Sequence, residues 1–161
     1  MTIVQTVSVF SLAFFSLWDL RSRLIPLIDA FFVLVAGWAL FETPLHGAIL
    51  TAVVLWGIIP GISSRLALLF VFYPAAWPVL LVGFGVRKQM IGHADLLALA
   101  IISFAFPFPA VIVSIFGFEF WRRWWIRRGK CGLVPALPGL FLGLAVYSLA
   151  QIAISHILPI A

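Results

Sequence analysis

Apolar runs follow one another along almost the whole chain, at residues 2–18, 27–41, 45–60, 66–86, 91–106, 108–121 and 134–157, with only short breaks between them. A chain of 161 residues cannot hide so many long apolar segments inside one water-exposed globule, because small domains leave too much surface uncovered. The composition agrees, with 65% hydrophobic and 9% charged residues, so a bilayer is the expected solvent for most of the chain. In hydrocarbon each segment must satisfy its own backbone N–H and C=O groups, and helices do this. The expected fold class is therefore all-α: a polytopic membrane protein forming a single integral-membrane domain over residues 1–161.

The opening MTIVQTVSVFSLAFFSLW lacks the basic start and small-residue cleavage site of a secretory signal, so it reads as a first span that is retained. Cys131 is the single cysteine, which excludes an internal disulfide and a CxxC zinc site. A small packed side chain is its simplest role. No cluster of metal ligands is apparent, and neither a metal nor a cofactor is expected. Asn is absent and Gln scarce, which fits a thermophilic source.

Basic residues set the orientation. Arg21 and Arg23 follow the first run, Arg65 the third, Arg87 and Lys88 the fourth, and Arg122, Arg123, Arg127, Arg128 and Lys130 the sixth. Cytoplasmic loops should hold them all. Seven crossings would split them between the two sides, so one run must not cross. The best candidate is residues 66–86, where Pro74 and Pro78 divide two arms of about eight residues, each about 12 Å long as helix. A re-entrant or interfacial hairpin fits this stretch. Alternatively the third and fourth runs share one long span kinked at Pro60. Either way about six transmembrane helices remain, with both termini and the turns FETPLH (41–46) and FPFP (106–109) outside. Trp121, Trp124 and Trp125 then form an aromatic belt at the cytoplasmic interface, beside a basic run able to recruit anionic lipid or an acidic partner.

The acidic residues are Asp19, Asp29, Glu42, Asp95 and Glu119. In this topology Asp19 leaves the first helix and Asp95 enters a later one, both at cytoplasmic ends, so they can meet across the bundle. Ionisable groups at membrane depth are costly and raise a functional hypothesis with a partner to be named. Two close carboxylates share one proton and titrate as a unit. That division suits peptide hydrolysis: the ionised acid activates water and the protonated acid polarises the carbonyl. Taken singly, Asp19 beside arginines also fits an interfacial ion pair, and Asp95 in MIGHADLLALA also fits a helix cap. Asp29 and Glu119, inside apolar runs, suit buried partners of arginines or a pathway lining. His46 and His156 fall outside, leaving His93 near the carboxylates.

DLRSRLIP at 19–26 resembles the D-x-R-x-x-x-I-P-N signature of the type IV prepilin peptidase family, and GHAD at 92–95 resembles its G-x-G-D or G-x-H-D signature. GLVPALPGLFLGLA at 132–145 is similar to the proline-containing entry to the family's last helix. The resemblance implies Asp19 and Asp95 as a catalytic dyad of a GxGD-type membrane aspartyl protease. Gly92, His93, Arg21, Arg23, Pro26, Pro135 and Pro138 would shape the site. It also implies a multi-pass enzyme of the cell membrane that removes the short basic leader from prepilin-like or preflagellin-like (archaellin-like) precursors on the cytoplasmic side, with no nucleic acid involved. Leu27, Ala94 and Leu97 depart from residues common in the family, and no zinc-binding, cysteine-rich N-terminal segment is present, which matches the short peptidase-only members. The archaeal members are the nearer resemblance. Two other classes fit the same residues: a small transporter or channel using Asp19 and Asp95 as a proton or cation relay, and a silent pilus-assembly scaffold.

Overall fold

The computed structural model describes residues 2–22, 44–129 and 134–157, and among them every regular element is helical. In chain order these are α1 (Ile3–Ser22), α2 (Pro44–Ile58), α3 (Ala67–Val71), α4 (Trp77–Arg87), α5 (His93–Ala105), α6 (Phe108–Arg127) and α7 (Ala136–Ile157), with 3-10 turns at Ser64–Leu66 and Pro74–Ala76. The run at 27–41, and with it Arg23, Pro26, Asp29, Glu42, Lys130 and Cys131, lies outside the described residues.

Prolines mark several boundaries. Pro44 opens α2, Pro107 and Pro109 start α6, and Pro135 precedes α7, at positions where an amide hydrogen has no intrahelical acceptor. Two helices, Ile3–Arg21 and Ala136–Ser155, are long and apolar enough to cross a membrane. Both present large apolar side chains outward, among them Phe10 and Leu17 on α1 and Leu149 and Ile152 on α7.

The core centres on α5, whose residues from Leu96 to Ser103 are all buried. This helix is covered on every side because α1, α2, α4, α6 and α7 all pack against it. The closest packing joins α6 and α7. A Cβ added at Gly117 would lie 2.6 Å from the Gly139 carbonyl oxygen, one at Gly139 would lie 2.7 Å from the Phe118 Cα, and one at Gly143 would run into the Val113 carbonyl and the Ser114 Cα. The two backbones touch where side chains would normally hold them apart, the arrangement that small-xxx-small patterns permit.

Residues 59–87 go out and return. From the end of α4, Arg87 donates hydrogen bonds to the carbonyls of Ile59, Pro60 and Ile62 and to Ser64 Oγ, and its guanidinium lies 4.8 Å from the Trp56 ring centroid. Arg65 and Arg87 therefore stand at the same end of the bundle. At the far end His46 of α2 clamps Tyr73, at the bend between α3 and α4. Pro60 thus lies in a turn, and α2 and α4 run side by side, closely enough that a Cβ at Gly57 would be 3.2 Å from Gly83 Cα; a single kinked span is ruled out. The arms are unequal, five residues in α3 and eleven in α4, because the break falls at Tyr73–Pro74 and Pro78 is absorbed into the first turn of α4.

The His46 clamp has a defined proton arrangement. Its Nε2 faces the Ser103 carbonyl at 3.1 Å and must donate, so in the neutral ring Nδ1 accepts from the Tyr73 hydroxyl at 2.6 Å. Replacing Tyr73 by Phe leaves that nitrogen unpaired in a partly buried place, and the expected cost is about 1–2 kcal/mol. A thermal melt in detergent checks it: an unchanged midpoint would mean the bond contributes nothing to holding the bend.

Candidate active site

Asp19 stands in the last turn of α1 and is only 8% exposed. Asp95 stands in the first turn of α5 and is half-buried. The antiparallel approach of these two helix ends brings the carboxylates close enough for their charges to act on each other. Both sit at the end of the bundle that also carries Arg65, Arg87, Lys88 and the C-terminal end of α6.

Local structure fixes Asp95. The turn from α4 into α5 closes with Gln89 at φ 58°, its N–H bonding the Val86 carbonyl while the Met90 N–H bonds the Gly85 carbonyl. This double closure is the usual glycine-ended helix stop, here adopted by a glutamine. It delivers Gly92, whose N–H donates to Asp95 Oδ2 at 3.2 Å. Gly92 has an ordinary extended φ of -77°, so its glycine identity serves proximity: a Cβ there would lie 3.3 Å from Oδ2. Asp95 is thus a helix-capping residue as well as a member of the carboxylate pair, and one oxygen suffices for the cap.

Beside Asp95 opens a cavity of about 410 Å³, lined by Val82, Met90, Ile91, Gly92, Leu99, Ile115, Phe118, Val134, Ala136 and Leu140. Among the described residues, Asp95 is the one ionisable residue in that lining. Pro135 and Pro138 are buried at the start of α7 and set the course of the chain through Val134 and Ala136, two of the cavity's walls.

Two expected site residues face elsewhere. Arg21 is exposed and shares a surface with Phe14, Leu17 and Trp18, because two residues along a helix is about 200° around it, opposite Asp19. By the same rotation His93 leaves the Asp95 cavity and borders a separate polar cleft with Arg87, Lys88, Gln89, Ser63 and Ser64. Arg23 and Pro26 lie outside the described residues. Glu119 is a partner of arginines, though half-buried rather than buried: it binds Arg122 through both oxygens, at 2.7 and 2.8 Å, and Arg123 at 2.8 Å. Among the described residues no group of three or more His, Cys, Asp or Glu is placed to hold a metal ion.

What the arrangement can do follows from charge. Two carboxylates within reach of each other's charge disfavour double ionisation. Of the two carboxylates, Asp95 lines the apolar cavity. The chain was compared with family models, curated proteins and solved structures, and none matches it.

Proposed function

We propose that this chain is a membrane aspartyl endopeptidase of the type IV prepilin peptidase kind, which cuts the short basic leader from prepilin-like or preflagellin-like precursors at the cytoplasmic face. What supports the reading is that Asp19 and Asp95, far apart in sequence, lie within reach of each other's charge, and that Asp95 lines an apolar cavity.

In this reading the ionised carboxylate takes a proton from water as the oxygen attacks the scissile carbonyl. The protonated carboxyl hydrogen-bonds the carbonyl oxygen and stabilises the tetrahedral diol. Collapse of the diol breaks the C–N bond, and the leaving amine takes a proton from the acid then protonated. An apolar side chain next to the scissile bond would occupy the cavity. The basic leader would meet a local negative charge, since Arg21 faces away and Arg87 is engaged by backbone carbonyls.

About six crossings remain the best membrane arrangement, because it puts every described Lys and Arg at one end of the bundle. It asks that α2 and α5, with 15 and 13 residues, span only about 20 Å each, shorter than a hydrocarbon core of about 30 Å. Their burial behind the longer α1 and α7, or local thinning of the bilayer, would accommodate them. A proton relay has less support: between Asp95 and the His46–Tyr73 clamp, α5 presents the buried apolar block Leu96–Ile102.

Cleavage of a class III leader precursor co-reconstituted with the full chain tests the proposal. The expected product is the precursor shortened by its leader, formed without added metal and unaffected by chelator. A panel of such precursors left intact would reject it.

A further inference from the structure

The C-terminal end of α6 carries four arginines that are not equivalent. Arg122 and Arg123, three and four positions beyond Glu119 and so just short of and just past one helical turn, are both drawn onto it and share its charge. Arg127 and Arg128, in and just after the last turn, are exposed and have no carboxylate near them among the described residues. Arg128 is held with its guanidinium 4.3 Å from the Trp124 ring centroid. Trp124 in turn stacks on Trp121 at 4.9 Å.

The order of chemistry along the helix is directional. Exposed Phe116 and Phe120 come first, then the indoles, then the uncompensated cations. That is the order of a bilayer leaflet read outward: hydrocarbon, interface, headgroup. An acidic protein would be matched by the cations alone and would leave the apolar and indole steps unexplained. From this we infer that Arg127 and Arg128, the latter with Trp124 as its platform, form a binding edge for the phosphate of anionic phospholipid, and that Glu119 keeps Arg122 and Arg123 out of it. The inference needs the chain to sit in a bilayer but is independent of any peptidase activity.

The test is retention of lipid by the full chain in detergent, offered phosphatidylglycerol and phosphatidylcholine in equal amounts and read by native mass spectrometry. Wild type should prefer phosphatidylglycerol. The pair Arg127→Gln with Arg128→Gln should reduce that preference about tenfold, since each cation at the headgroup level contributes several-fold in affinity. Arg127→Lys with Arg128→Lys should retain most of it. Arg122→Gln with Arg123→Gln should change it less than about threefold, and Glu119→Gln should raise it by releasing two cations. Each variant's melting midpoint is measured alongside, so that loss of fold is told from loss of the edge. Equal retention of the two lipids by wild type overturns the inference and leaves the cluster to an acidic protein. An equal loss from the Arg122/Arg123 pair, or weaker binding in a folded Glu119→Gln variant, overturns it too.

Discussion

Gly143→Ala should destabilise the protein by about 3 kcal/mol, at the top of the usual overpacking range, although it adds a single methyl group. The methyl would meet the backbone at Val113 and Ser114, and backbone in the middle of a helix cannot rotate away as a side-chain tip can. Either α6 and α7 separate along their whole contact or the α7 backbone bends. For a chain of this size the melting midpoint should drop by about 10 °C. Gly61→Ala supplies the control, because nothing lies within 4 Å of a Cβ there, and its change should stay within about 0.5 kcal/mol. A Gly143→Ala midpoint as high as that of Gly61→Ala would refute the close approach of α6 and α7. The consequence reaches the cavity beside Asp95, whose wall includes Val134 just before α7 and Ala136 and Leu140 at its start.

That contact was readable in advance from GLFLG, an apolar segment with glycines four apart, which is the recognised pattern for close membrane helices. Helix positions themselves were well signalled, because in an apolar chain the prolines and cations are the only punctuation. The end of α6 was the exception. The apolar run stops at Trp121, yet the helix continues to Arg127, because arginine is a good helix former and Glu119 supports the extension through its i+3 and i+4 partners. Hydropathy could not register a helix stabilised by its own charges.

The placing of Asp19 and Asp95 at one end of the bundle was legible in the sequence, but their surroundings were not. Basic residues confined to one side oblige Asp19 and Asp95 to share an end of the bundle, but which neighbours face them depends on helix phase. His93 and Asp95 are two residues apart and look like one motif, and only the start of α5 at His93 makes clear that they point to different clefts. Arg21 turns away from Asp19 for the same reason. His46 illustrates a different obstacle. Its partners Tyr73 and Ser103 belong to separate elements, and no local period relates them.

Asp19→Asn and Asp95→Asn should each reduce cleavage by about three orders of magnitude or more, the scale on which acid–base catalysis acts when one partner is lost. The double variant should be no worse than either single one, because residues that act as a unit are not additive. Stability supplies the contrasting readout. If Asp19 were a structural ion-pair partner, its replacement would lower the melting midpoint. If it is half of a carboxylate pair, removing one buried like charge relieves repulsion, and the midpoint should hold or rise, most clearly at alkaline pH where both acids would otherwise ionise. Asparagine keeps an oxygen for the Gly92 N–H, so the Asp95 variant should retain its helix cap. Wild-type activity should form a bell against pH: at low pH both carboxyls are protonated and no base remains, and at high pH both are ionised and no acid remains. A variant that still cuts at the wild-type rate, or a flat pH profile from a cleaving enzyme, would remove the dyad from the mechanism while leaving the folded bundle as it stands.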